Sequence, residues 1–136
     1  MITYSEIDIK VSASGDLVIA PNGDLDMASP SGVLKQDIAF RLRTDYDDFT
    51  PHPDIGADLS SLIGEQNTRE TSQKGEQKIV RSLTSDGRVF GSDLMVKGVP
   101  INLSSIVYYV FIKDGVTTMN VTPDVLLDIN KGILSY

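Results

Sequence analysis

The segment Ser105 to Ile112, Ser-Ile-Val-Tyr-Tyr-Val-Phe-Ile, constrains the fold more than any other part of this chain. It is rich in the β-branched and aromatic residues that fit a pleated surface, and it has the length of a strand. Lys113-Asp114-Gly115-Val116 follows at once, and Asp-Gly suits a two-residue hairpin turn because both residues tolerate positive φ. The chain is therefore expected to return as a second strand, Thr117 to Val121. Leu94 to Val96 and Ile101 to Leu103 alternate more weakly and add one or two strands, interrupted by Gly98 and Pro100. Thr122-Pro123 reads as the start of a short C-terminal helix, Asp124 to Lys131, with Val125, Leu126 and Ile129 apolar and Gly132 ending it.

Helical signals lie upstream of the strands. Ser29 caps a first helix and Pro30 fits its first position, where a missing N–H does no harm. Leu34, Ile38 and Leu42 recur every four residues, Val33 borders them, and Lys35, Arg41 and Arg43 are placed outward, with a stop near Thr44. A second helix is expected from about Thr68 to Asp86, with Asn67 and Glu70 at capping-box spacing. Its first half, Arg69 to Lys78, is almost wholly polar; only Ile79, Val80 and Leu83 form an apolar stripe, and Gly87 ends the helix. Between the helices, Asp45 to Asp58 is a loop of Asp and Pro, with Asp58 expected to cap a short turn over Leu59 to Ile63. Near the N-terminus, Gly15-Asp16-Leu17 and Gly23-Asp24-Leu25 flank Val18-Ile19-Ala20 and the turn Pro21-Asn22-Gly23, which predicts a hairpin of Leu17 to Ala20 and Leu25 to Met27. Helices preceding strands give the α+β class: a small antiparallel sheet packed against two main helices, with an N-terminal hairpin and a short C-terminal helix. The 136 residues suit one domain, with 1–28 as an arm and 122–136 as a C-terminal extension.

Charge and residue inventory exclude several functions. Nineteen acidic against twelve basic residues leave a net charge of −7, and the bases are dispersed among the acids, so nucleic acid is not an expected partner. Nor is a membrane, since no apolar run is long enough to cross one. Met1 to Glu6 lacks the basic and apolar regions of a signal peptide, and the chain contains no Cys, which fits assembly in a cytoplasm. His52 is the sole histidine and sits between Pro51 and Pro53; no Gly-x-Ser-x-Gly elbow accompanies it. Glu65, Glu70, Glu76 and the loop aspartates form carboxylate pairs, yet any chain with nineteen acids does so. His52 with Asp47, Asp48 and Asp54 is a conceivable metal set that acidic turn chemistry explains equally well. Asn22, Asp24 and Asp26 alternate as in a calcium loop, without the glycine and glutamate that loop requires. The reading is a non-enzyme with no cofactor and no metal.

The order of these features resembles the baseplate wedge, or sheath-initiator, family of contractile phage tails, which has relatives in type VI secretion baseplates. Three stretches carry the resemblance: the Gly-Asp-Leu hairpin; Val33 to Gly56, with Gln36, Ile38, Arg41, Leu42 and Thr44 leading to Pro53-Asp54-Ile55-Gly56; and Ile79 to Val89 followed by strands. Together they span about Gly15 to Val121. The family's junction reads Glu-Pro-Arg, where this chain has Asp86, Gly87 and Arg88, and Ile55 stands where an aromatic is common. The resemblance implies a structural protein of the virion's tail baseplate that joins the inner baseplate to the sheath and initiates sheath polymerisation. Its implied partners are the tail sheath protein, other wedge proteins and the tail tube. Asp86, Gly87 and Arg88, loop residues Pro53 and Gly56, and Tyr108, Val110 and Ile112 on an exposed strand edge are then the expected contacts, with Thr117 to Val121 as a second candidate edge. A tail assembly or completion factor is the main alternative, and a peptidoglycan-cleaving accessory of the baseplate a further one.

Overall fold

A computed structural model of the chain describes residues 7–12, 14–87, 89–114, 117–120, 125–128 and 132–135. Two helices precede a mixed-length antiparallel sheet, which is the α+β arrangement expected from the order of the sequence signals. An arm comes first. Strands β1 (Asp8–Ile9) and β2 (Met27–Ala28) pair antiparallel; between them the bridge Val11↔Leu17 closes a turn that was not expected, and the bridge Ile19↔Leu25 closes the hairpin predicted around Pro21-Asn22-Gly23. The turn closes with Gly23 N–H on the Ala20 carbonyl at 2.9 Å and Ala20 N–H on the Asp24 carbonyl at 2.7 Å. Gln36 then pins the arm to the first helix. Its side-chain oxygen accepts the Val11 N–H at 2.9 Å, and its side-chain nitrogen donates to the Ile9 carbonyl at 3.0 Å.

Helix α1 runs Pro30–Arg43, with the Ser29 hydroxyl accepting the Gly32 N–H as the sequence predicts. Leu34, Ile38 and Leu42 are buried together. Arg41, expected outward, is 8% exposed, and this departure is explained below by its carboxylate partners. Helix α2 runs Arg69–Thr84. Thr68, not Asn67, is its cap, and Asn67 instead donates to the Asn102 carbonyl at 2.6 Å, tying the helix start to the sheet.

Strand β4 (Ser105–Asp114) is the centre of a five-stranded sheet. On one side it pairs along its length with β3 (Leu94–Pro100), from Leu94↔Ile112 to Pro100↔Ile106. On the other it pairs with β5 (Thr117–Asn120) at one end and with β6 (Val125–Asp128) at the other; β6 in turn pairs with β7 (Gly132–Ser135). Two strand expectations need correction. Residues 101–104 form a turn, and β3 continues instead through Gly98 to Pro100, which an edge strand tolerates. Val125–Asp128, expected in a C-terminal helix, is a strand, because it fills the edge of β4 beside Ser105–Tyr108 that would otherwise lack main-chain partners. The remainder of that expected helix, 124 and 129–131, lies outside the described residues, as do Gly115 and Val116 of the expected turn.

Tyr108 explains why α2 begins so polar. Its ring lies in a slot whose walls are Gly75 of α2 and Gly98 of β3; a Cβ at either position would overlap the ring or its hydroxyl. The hydroxyl donates to the Ser72 carbonyl at 3.3 Å. Thr71, Ser72 and Gly75 are buried, so small residues let the helix backbone approach the sheet, while Ile79 and Leu83 continue the contact in the usual apolar way. Burial pushes the Tyr108 hydroxyl above its ordinary pKa, and the Glu76 charge adds to the rise.

Gly75→Ala lowers stability by about 1–3 kcal/mol in urea unfolding, the usual cost of overpacking, and combining it with Tyr108→Phe recovers part of that loss because the hydroxyl is the nearest obstacle. Tyr108 is protonated in both states below about pH 10, and above that value only the unfolded chain ionises freely. The wild-type urea midpoint therefore falls as pH rises past about 10, and Tyr108→Phe flattens that fall; parallel pH profiles for the two proteins would refute it.

Candidate functional site

The helix-to-strand junction is built around a buried guanidinium. Arg41 sits in the last turn of α1, and Asp86 follows the end of α2; the Arg41 Nη2 and the Asp86 carboxylate form a short ion pair. Asp37, one turn back on α1, lies 3.5 Å from the same nitrogen, and Nη1 donates to the Ser82 carbonyl at 3.4 Å. A guanidinium this far from water needs such partners, since its planar donors can meet two carboxylates and a carbonyl at once. Asp86 thus serves first within the chain, joining α1 to α2. Gly87 closes α2 with φ +76°, the conformation expected past a helix end. Arg88 lies outside the described residues.

The Asp45–Asp58 loop performs a related task. Ala57 N–H donates to the Arg41 carbonyl at 3.0 Å and Asp58 N–H to the Thr44 carbonyl at 3.2 Å, satisfying carbonyls at the C-terminus of α1. Gly56 is buried with φ +107°, and a side chain there would strike the Thr44 backbone, so it is a packing residue rather than the partner contact expected from sequence. Pro53 remains exposed, its carbonyl accepting the Asp47 N–H at 2.8 Å. Asp58 stands at the N-cap of the following turn, Leu59–Leu62, but its side chain makes no capping bond; its carboxylate takes the Tyr46 N–H and lies 3.5 Å from Lys78. Lys78 and Arg81 of α2 also stand over the Tyr46 ring.

Tyr108, Val110 and Ile112, expected on an exposed edge, are all buried at 2% or less. β3 pairs with β4 along one edge, and on the other β6 pairs with Ser105–Tyr108 and β5 with Phe111–Asp114. Their side chains, those of Tyr108, Val110 and Ile112, belong to the core rather than to an exposed edge.

The open edges are elsewhere. Among the described residues, β5 pairs only with β4, and β3 is the outermost strand on its side. Ile101 N–H donates to the Ser105 carbonyl at 3.0 Å, which assigns the odd-numbered residues of the β3 stretch to β4 and turns the main chain of the even-numbered ones outward. Leu94 N–H is used by the Gly91 carbonyl, Gly98 N–H by Glu76 Oε1 at 2.7 Å, and Pro100 has none. Val96 alone keeps an outward N–H without a partner among the described residues. A groove of about 340 Å³ follows this edge, walled by Ser72 and Glu76 of α2 and by Gly98 to Pro100. Ser72 Oγ is buried there with no hydrogen-bond partner among the described residues.

Glu76, Arg41 and Gln36 carry more of this architecture than the sequence reading assigned them. The only advance signal for Glu76 was Gly98, since a glycine inside a strand often marks a close approach. Among the described residues no three His, Asp or Glu side chains converge as metal ligands would, and no helix is long and apolar enough to cross a membrane. Comparisons with protein-family models, curated proteins and solved structures gave no match.

Removing the junction carboxylate tests its intrachain role. Asp86→Ala is expected to lower the unfolding free energy by about 1–3 kcal/mol, because it strips a buried guanidinium of its nearest carboxylate. Asp37→Ala, which removes the more distant carboxylate at 3.5 Å and leaves Asp86 on the same nitrogen, costs less than about 1 kcal/mol. Urea midpoints measure both; equal midpoints for Asp86→Ala and wild type would free Asp86 for an intermolecular role instead.

Proposed function

We propose that this chain is a structural component of a contractile-tail baseplate, one that engages wedge proteins and the first ring of sheath through its open sheet edges. The observation that carries the reading is the β3 edge: a seven-residue strand with outward carbonyls, one open N–H at Val96 and a groove along it. An extended segment of another chain pairs with such an edge through main-chain hydrogen bonds, while side-chain pockets select it. The second edge, β5, corresponds to the other strand that the resemblance marked for partner contact. Support also comes from element order, since hairpin, first helix, Pro-Asp-x-Gly loop, second helix, junction and sheet follow one another as in the sheath-initiator family it resembles.

Glu76 gives this edge a removable cover. Its carboxylate satisfies the Gly98 N–H in the free protein, and an incoming strand displaces it by offering a carbonyl in its place. The net charge of −7 favours a basic or neutral incoming strand.

The test is co-expression of the tagged full chain with the sheath and wedge genes that neighbour its own, followed by pull-down. Wild type retains the sheath protein, and Val96→Pro, which removes the open donor at a position where an edge strand tolerates proline, loses it while its circular dichroism is unchanged. Arg88→Ala keeps the fold and loses wedge proteins. Failure of wild type to retain either sheath or wedge, or a map of the assembled tail placing the chain away from both, would refute the proposal.

A further inference from the structure

The arm is amphipathic, with its apolar side turned to solvent. The pairs Ile9↔Met27, Val11↔Leu17 and Ile19↔Leu25 put odd-numbered residues of all three segments on one face. On that face Ile7, Ile9, Leu17, Ile19, Leu25 and Met27 are all exposed. By the same alternation Asp8, Asp16, Asp24 and Asp26 fall on the other face. A contiguous exposed apolar face of this kind marks an interaction surface. It runs into a groove of about 480 Å³ between the arm and α1, whose lining includes Met27, Ala39 and Phe40.

Two observations identify what covers it. The first is charge. The groove is lined by Lys10 and Lys35 and by no acidic residue, in a chain with nineteen acids and twelve bases. Lys10 has only a loose pair with Asp26 at 3.6 Å, and Lys35 makes no ion pair among the described residues. The second is the main chain. Gln36 already occupies the Val11 N–H and the Ile9 carbonyl, so an extended segment entering here finds its main-chain partners taken. Recognition must pass through side chains, which is how a helix lies in a groove.

We propose that this groove and the adjoining arm face bind an acidic amphipathic helix of another protein. Its apolar stripe covers Met27 and Phe40, and its carboxylates flank that stripe on the α1 side and reach Lys35. A second copy of this chain is a poor occupant, because two-fold pairing would set the lysine-lined groove against itself. The surface uses none of the residues of the β3 edge and stands whether or not the baseplate reading does.

The probes are two fluorescein-labelled synthetic helices of about 18 residues, long enough for a stable apolar stripe. They share a leucine stripe and differ only in flanking residues, all Glu in one and all Lys in the other. Fluorescence anisotropy with the full chain is expected to show saturable binding of the Glu helix, about tenfold tighter than that of the Lys helix. Phe40→Ser weakens both helices, and Lys35→Glu reverses the preference, a result that misfolding cannot produce. Circular dichroism and melting curves of both variants match wild type. Equal affinity for the two helices, absence of saturable binding, or an unchanged preference in Lys35→Glu would overturn the proposal. So would a dimer in light scattering that Met27→Glu dissolves, since it would assign the surface to a second copy.

Discussion

The insertion of Tyr108 between two glycines sets the distance between α2 and the sheet, and the rest of the site depends on that distance. With Gly75 above and Gly98 beside the ring, the helix backbone comes near enough for the tyrosine hydroxyl to reach the Ser72 carbonyl. The same approach places Glu76 over the rim of β3, within 2.7 Å of the Gly98 N–H. A larger residue at position 75 would lift the helix, and the carboxylate would lose its hold on the edge. Packing in the core and exposure of the edge are therefore one geometric problem, solved by residues with little or no side chain.

Much of the fold was legible because local and tertiary preferences agree. Ser29-Pro30 and the four-residue spacing of Leu34, Ile38 and Leu42 mark α1, whose observed range is Pro30–Arg43. The Asn-Gly hairpin and the β4–β5 pairing were legible for the same reason. The start of α2 was legible too, but the burial of its polar first half was not, since hydrophobic periodicity registers large apolar side chains and is blind to burial through Thr, Ser and Gly. Arg41 escaped for a related reason. A cation at the end of a helix is ordinarily placed in solvent, and only the folded chain brings Asp86 from forty-five positions away to meet it.

The expectation that Tyr108, Val110 and Ile112 lie on an exposed edge failed because it treated a strand's composition as a statement about its edge. Ser105 to Ile112 is apolar at nearly every position, which is the pattern of a strand covered on more than one side. Such a strand tends to the middle of a sheet, and here its even-numbered side chains fill the core. The shorter and more broken Leu94–Pro100, with Gly98 and Pro100, has the composition of an edge. Val125–Asp128 was misassigned because four apolar-rich residues after Thr-Pro satisfy a helix start and a strand equally well, and the vacant side of β4 decided between them.

The two places where a side chain substitutes for a missing strand differ in chemistry, and the difference separates their roles. Gln36 offers both a donor and an acceptor, so its amide imitates a peptide unit and closes the arm's edge in both senses. Glu76 offers an acceptor alone, leaving outward carbonyls on β3 unanswered, and its charge is better solvated once released. An edge closed by an amide has little to gain from a new strand, whereas an edge covered by a carboxylate gains bonds from the Val96 and Gly98 N–H groups and to the outward carbonyls when a strand replaces it. The arm is thus suited to recognition through its apolar side chains and lysines, and β3 to recognition through its main chain. Two partners of different secondary structure can then be held by one small chain without competing for the same groups.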